Sequence, residues 1–204
     1  MSATESDQIA PKVTLWLDPV CPFSWNTARW LRTVAERTGV AIDWRLMSLA
    51  VLNEGRELPP AQQARMRDSR QIGRLMAAIA REHGVAAWTA AYFAFGERHF
   101  DRSEPVDADL VAQVVMAAGA RGATAAAVSD ESLDESIRRQ HQAAQDALGE
   151  TGGSPILRIG ERTFFGPVLT AVPAAEDAAA LFDAVETLAN TPQFAQLQRP
   201  RTAA

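Results

Sequence analysis

One cysteine, Cys21, stands in a chain of 204 residues. A lone cysteine cannot close an intramolecular disulfide, so any disulfide chemistry must join Cys21 to another molecule. No apolar run approaches the roughly 20 residues that a bilayer-spanning helix needs, and no membrane association is expected. Basic blocks are missing as well. Arg and Glu are interspersed along the helical stretches and the net charge is −5, which argues against nucleic acid or an anionic membrane surface as partner. Gly-rich phosphate loops are absent, since Gly152-Gly153 lacks the following helix and the spacing of a nucleotide site. The first eight residues are polar and acidic, without the positive and apolar segments of a secretory leader, so the expected location is the cytoplasm. His83, His99 and His141 share no metal-ligand spacing with one another or with Cys21. No metal and no tightly bound cofactor is expected.

What is present reads as an α/β chain. Residues 13–17 are apolar strand formers and predict a buried strand. Asp18-Pro19-Val20 breaks it. Pro22 then falls at the first position of a helix, where its missing N–H would have had no partner. Ala28, Leu31, Val34 and Ala35 follow at helical spacing, and Gly39 ends the helix. Partial alternation over residues 40–49 predicts a second strand. Residues 60–81, 86–99, 107–118 and 130–148 predict helices, punctuated by Gly84, Gly96, Gly119, Gly122 and Gly149. Strand patterning returns at residues 156–159 and 163–165 around a Gly160-Glu161-Arg162 turn, and a last helix is expected over residues 174–189. The expectation is one domain over residues 1–204, with a helical insertion at about 58–150.

The motif Cys21-Pro22-Phe23-Ser24 sits between the first strand and the first helix. A helix N-terminus presents unpaired N–H groups and partial positive charge, both of which favour a thiolate. Ser24 lies within the first turn, where its hydroxyl can donate to the sulfur but cannot resolve a disulfide. A second element, Gly152-Gly153-Ser154-Pro155, opens a strand with an X–Pro bond that admits the cis or the trans form. Trp25 adjoins the motif and is a candidate for lining a groove. Trp30, Trp88, Tyr92 and Phe93 are assigned to the core. Arg65, Arg67, Arg70 and Arg74 are assigned to a solvated helix face, and His141 to a solvated or core-edge position.

These two elements, in this order, resemble the DsbA-like branch of the thioredoxin superfamily, most closely its actinobacterial mycothiol-dependent reductases. The segments 16–25, 47–54 and 164–169 carry the likeness, which runs from about residue 12 to residue 200. The resemblance implies a thioredoxin-like fold with a helical insertion, Cys21 as attacking cysteine and Pro155 as a cis-proline facing the sulfur. It also implies a thiol-binding surface made by Pro22, Phe23, Trp25, Ser154 and Pro155. The co-substrate would be a low-molecular-weight thiol, mycothiol or glutathione, and the other substrate a disulfide or a small electrophile. Monomer and homodimer both remain open.

The chain departs from that branch at Ser24, where the family has its second cysteine. This closes the dithiol route and leaves a monothiol one, in which Cys21 and Ser24 form the catalytic pair. Phe23-Ser24-Trp25 is also similar to the kappa-class glutathione transferases and 2-hydroxychromene-2-carboxylate isomerases, which carry serine in place of Cys21. A third reading is a binding or sensor protein that forms a stable mixed disulfide. Monothiol glutaredoxins fit less well, since glycine usually follows their cysteine and their chains are shorter.

Overall fold

The computed structural model describes residues 13–120 and 125–201. The expected leader and Gly122 lie outside the described residues. Strand β1, Val13–Leu17, is buried along its whole length, as a central strand covered on both faces must be. The chain turns at Asp18-Pro19-Val20, where the Cys21 N–H bonds the Asp18 carbonyl at 3.1 Å. Helix α1, Pro22–Thr38, then starts with Cys21 as N-cap residue and proline in its first turn. It ends at Gly39, whose φ of 75° is the left-handed conformation that closes a helix without a Cβ penalty.

Strand β2, Ile42–Leu46, is shorter than the ten-residue run expected from alternation. Ser48 ends it by capping a one-turn helix, α2 (Leu49–Leu52): its Oγ accepts the Val51 N–H at 3.2 Å. Serine three residues ahead of a free N–H is a helix-start signal, and the alternation of leucines around it masked that signal.

The sheet order is β2-β1-β3-β4. β2 runs parallel to β1, while β3 (Ile156–Ile159) is antiparallel to both β1 and β4 (Arg162–Phe165). Trp16 lies opposite Ile156. That register brings the peptide just before β3 beside the end of β1, and so beside Cys21. The Ser154–Pro155 bond there is cis, as is Gly166–Pro167.

Helices fill the chain between β2 and β3. Helix α3, Pro60–Gly96, contains a break at Gly84 (φ 79°, ψ −175°), where the sequence separates two helices. A π-helical turn, Glu97–Asp101, and helix α4, Ala108–Ala117, follow. Two 3-10 turns lead into α5, Asp134–Leu148. Helix α6, Ala178–Ala189, begins four residues later than expected, because residues 174–177 form a turn. The Trp30 indole N–H donates to the Ala178 carbonyl at 2.9 Å and fastens α6 to α1.

One core runs through sheet, α1 and α3, with Ile72, Leu75, Met76 and Ile79 fully buried as their spacing predicts. Arg74 is a correction. It is 7% exposed and not on a solvated face. Its Nε and Nη2 donate to the two Asp134 oxygens at 2.7 and 2.8 Å, tying α3 to α5. A bidentate pair of this kind satisfies a buried guanidinium, and it holds the Asp134 carboxyl below the ordinary aspartate range.

Candidate active site at Cys21

Four sequence-predicted residues meet at the N-terminus of α1. Cys21 is 4% exposed, and its thiol donates to the Ser154 carbonyl oxygen across 3.3 Å. The Ser154 side chain reaches the other way. Its Oγ accepts the Asp18 N–H at 2.8 Å and lies 2.6 Å from Ser24 Oγ. Ser24 is fully buried, and Pro155 is buried behind the sulfur's partner. Cys21, Ser24, Ser154 and Pro155 therefore form one contiguous group.

The proton order within it follows from the donors. Asp18 N–H occupies one lone pair of Ser154 Oγ. When the Ser154 proton points at Ser24 Oγ, the Ser24 proton is free to point elsewhere, and the sulfur is a neighbour that can accept it. Burial pushes the Cys21 thiol up from its ordinary value. The Ser24 hydroxyl and the N–H groups of Ser24 and Phe23 pull it down, and the negative charge of Asp18 adds to the rise. Helix-terminal donors surround the sulfur as the sequence predicts, and desolvation by burial acts against them as the larger influence.

Pro22 and Phe23 are half-buried at the rim of the site. The Arg201 guanidinium lies 5.0 Å from the Phe23 ring centroid, so the chain's last described residue covers part of this rim. An exposed cation–π contact is worth about 0.5–1 kcal/mol. Deleting the chain after Thr191 is therefore expected to speed alkylation of native Cys21 about two- to fivefold. An unchanged rate in a labelling time course would mean that Arg201 does not limit access.

Trp25 is placed differently from the expectation that it lines a groove. It is 2% exposed. Its ring packs against Tyr92, Phe93 and Phe100, and its Nε1 donates to Asp101 at 3.0 Å. Gly96 presses against the same ring and leaves no room for a Cβ. Trp25 holds α1 to α3 and offers no face to a bound thiol. His141 is buried on α5 with its Nδ1 unpartnered, and burial pushes its pKa down. No group of His, Cys, Asp and Glu suited to a metal occurs among the described residues, and no helix among them is long and apolar enough to cross a membrane.

Asp18 is the residue that sequence reasoning missed, treating it only as a strand breaker. Its carboxylate is completely buried and accepts three bonds: Val20 N–H at 2.8 Å, Leu49 N–H at 2.6 Å and Ser69 Oγ at 2.6 Å. Ser69 in turn accepts the Ala50 N–H at 3.1 Å. One side chain thus ties the Cys21 turn to α2 and α3. Burial pushes its pKa up, against the three donors and the Arg65 charge. An acid closing an apolar strand three residues before the cysteine was the available signal, since a carboxylate so placed must be buried and hydrogen-bonded.

The family model described as the Rv2466c-like mycothiol-dependent nitroreductases matches residues 20–199. The chain belongs to that family. Rv2466c-like membership places it among thiol-dependent redox enzymes. A curated relative, the "Uncharacterized protein Rv2286c" of Mycobacterium tuberculosis (strain ATCC 25618 / H37Rv), is 31% identical over 198 residues, covering 94% of this chain and 83% of the relative. Among solved structures, a 2-hydroxychromene-2-carboxylate isomerase superposes with a TM-score of 0.59 at 19% identity, covering 86% of this chain and 95% of that one. The cytosolic disulfide reductase DsbM from Pseudomonas aeruginosa with GSH gives 0.56 at 13% identity, covering 85% of this chain and 98% of that one. At such identities these two structures speak to the fold, which is DsbA-like and thioredoxin-like.

Proposed function

We propose that this Rv2466c-like protein is a cytoplasmic thiol–disulfide oxidoreductase working by a monothiol mechanism through Cys21. Its co-substrate is a low-molecular-weight thiol such as mycothiol. The observation that carries the reading is the position of the lone cysteine, at the N-cap of α1 against the Ser154 carbonyl, with Ser24 where a resolving thiol would stand. Family membership supports the thiol dependence.

Two exchange steps follow. The Cys21 thiolate attacks one sulfur of a disulfide R–S–S–R′, forming the Cys21–S–S–R bond and expelling R′–S⁻. A second thiolate then attacks the R sulfur, releasing R in a new disulfide and returning Cys21 as thiolate. Ser24 contributes its hydroxyl to the sulfur, and Ser154 with Pro155, Pro22 and Phe23 form the surface that receives R. The leaving thiolate or solvent takes the protons, so no other co-reactant is needed.

The buried Ser24–Ser154 hydroxyl pair favours one competing reading, in which the site activates the sulfur of a bound thiol for addition to an electrophile. Turnover separates the readings. With mycothiol or glutathione and a model mixed disulfide, the oxidoreductase consumes disulfide over many cycles. A single stoichiometric adduct without release marks a sensor instead. Conjugation of an electrophile without disulfide turnover marks a transferase. The family description also names nitroreduction, and a nitro compound is the second substrate to assay.

A further inference from the structure

Among the described residues, Phe165 is the one aromatic side chain that stands largely exposed, at 44%. It ends β4 and pairs with Ile156 at the start of β3, which pairs in turn with Trp16 near the end of β1. Directly paired residues share a face of a sheet. Trp16, Ile156 and Phe165 therefore form one row across the end of the sheet at which Cys21 stands. Phe164, turned to the opposite face, packs against the main core. A single exposed apolar side chain is ordinary on a protein surface, and what sets this one apart is its seat.

The residue is tied at two points to the peptide that faces the sulfur. The Gly166 N–H, next in the chain, donates to the Pro155 carbonyl at 2.9 Å. The ring itself lies over Gly153, where a Cβ would come within 3.4 Å of Phe165 Cε2 and 3.8 Å of Cζ. Gly153 does not adopt the left-handed backbone that calls for glycine, so the use of glycine there is the room it leaves for the ring. The seat is fixed from below, since Gln145 clamps Gly152: Oε1 accepts its N–H at 2.7 Å and Nε2 donates to its carbonyl at 3.2 Å. Ser154 follows Gly153, and its carbonyl accepts the Cys21 thiol at 3.3 Å. From sulfur to Ser154, to Gly153, to the phenyl ring, the contacts are continuous.

We propose that Phe165 is a specificity-determining residue of the Cys21 site, whose open ring receives an apolar face of the group R carried on Cys21 as a mixed disulfide. It selects thiols and disulfides that bear a ring or another CH-rich body close to the sulfur. The inference rests on the reading of Cys21 as nucleophile given above. The exchange steps are unchanged, because Phe165 makes and breaks no bond and acts only on how well R is received.

Two maleimides test it, since they share the reacting group and differ only in a phenyl or a methyl substituent on nitrogen. The Cys21 sulfur adds to the ring double bond of either, and the rates in the denatured chain correct for intrinsic reactivity. In the native parent the corrected phenyl-to-methyl ratio is expected to favour phenyl. Phe165→Ala is expected to lower that ratio about fivefold, the size of one aromatic contact, with the methyl rate unchanged. Phe165→Tyr keeps an aromatic face in the strand and is expected to keep the ratio, which guards against a loss of fold in the alanine variant. A ratio unchanged in Phe165→Ala overturns the inference and leaves the proposed function standing. Equal slowing of both reagents also overturns it, and makes Phe165 a support for the loop that holds Cys21. If native Cys21 reacts with neither reagent while the denatured chain reacts with both, the functional reading fails and the inference with it.

Discussion

Cys21→Ser is expected to lower thiol-dependent turnover of a mixed disulfide at least about a thousandfold. The chain holds one cysteine, and no other side chain can form the mixed disulfide. Serine in the same position keeps a donor for the Ser154 carbonyl, now accepting the bond that Cys21 gives across 3.3 Å, so the fold should be retained and the loss should belong to chemistry. The same variant divides the functional readings. A transferase-type site does its work on the sulfur of a bound thiol, and serine is compatible with that. Conjugation of an electrophile persisting in Cys21→Ser, measured beside the lost disulfide turnover, would replace the oxidoreductase reading.

The second large effect is on stability. Asp18→Ala is expected to cost about 3 kcal/mol, because it orphans the Val20 N–H, the Leu49 N–H and the Ser69 hydroxyl together. Relief of a buried charge offsets part of that loss and keeps the figure below a simple sum. Against a typical domain stability of about 5–15 kcal/mol, this is a visible fraction. It should appear as a lower urea midpoint at unchanged slope, and a loss under about 1 kcal/mol would mean the three donors find other partners.

The pH dependence has a definite sign. Burial raises the Asp18 pKa in the folded state, so the folded protein holds this proton at pH values where the unfolded chain has released it. The contribution of this group to stability is present below the ordinary aspartate range and is lost as pH rises through the raised folded value. Asp134 has the opposite sign, since Arg74 lowers its pKa and its contribution is lost as pH falls. Asp18→Asn should remove the first dependence and leave the second, as thermal unfolding across the acidic range would report.

The chain's own patterns made the element order legible because it is written in local signals. The apolar run of β1, the proline in the first turn of α1, the glycine at position 39 and the helical spacing of Ile72, Leu75, Met76 and Ile79 each depend on a few neighbouring residues. The pairing of Cys21 with Ser154 was legible only through resemblance, since 133 positions separate them and the sheet register joins them. Other features were not legible. The burial of Cys21 depends on what closes over the helix terminus. Trp25 and Arg74 were assigned by sequence neighbourhood, and contacts distant in sequence decide both: Gly96 and Tyr92 for the indole, Asp134 for the guanidinium. Asp18 acquires its meaning from partners on α2 and α3 that no spacing announces.

The central claim is that Cys21 carries a low-molecular-weight thiol as a mixed disulfide and gives it up to a second thiol. Intact-mass spectrometry of the native protein tests it most directly. Mixed with mycothiol disulfide or glutathione disulfide, the protein should gain the mass of one thiol at Cys21 and lose it again when the free thiol is added. If native Cys21 stays unmodified while the denatured chain reacts fully, the thiol is intact but closed to exchange, and the monothiol account is contradicted.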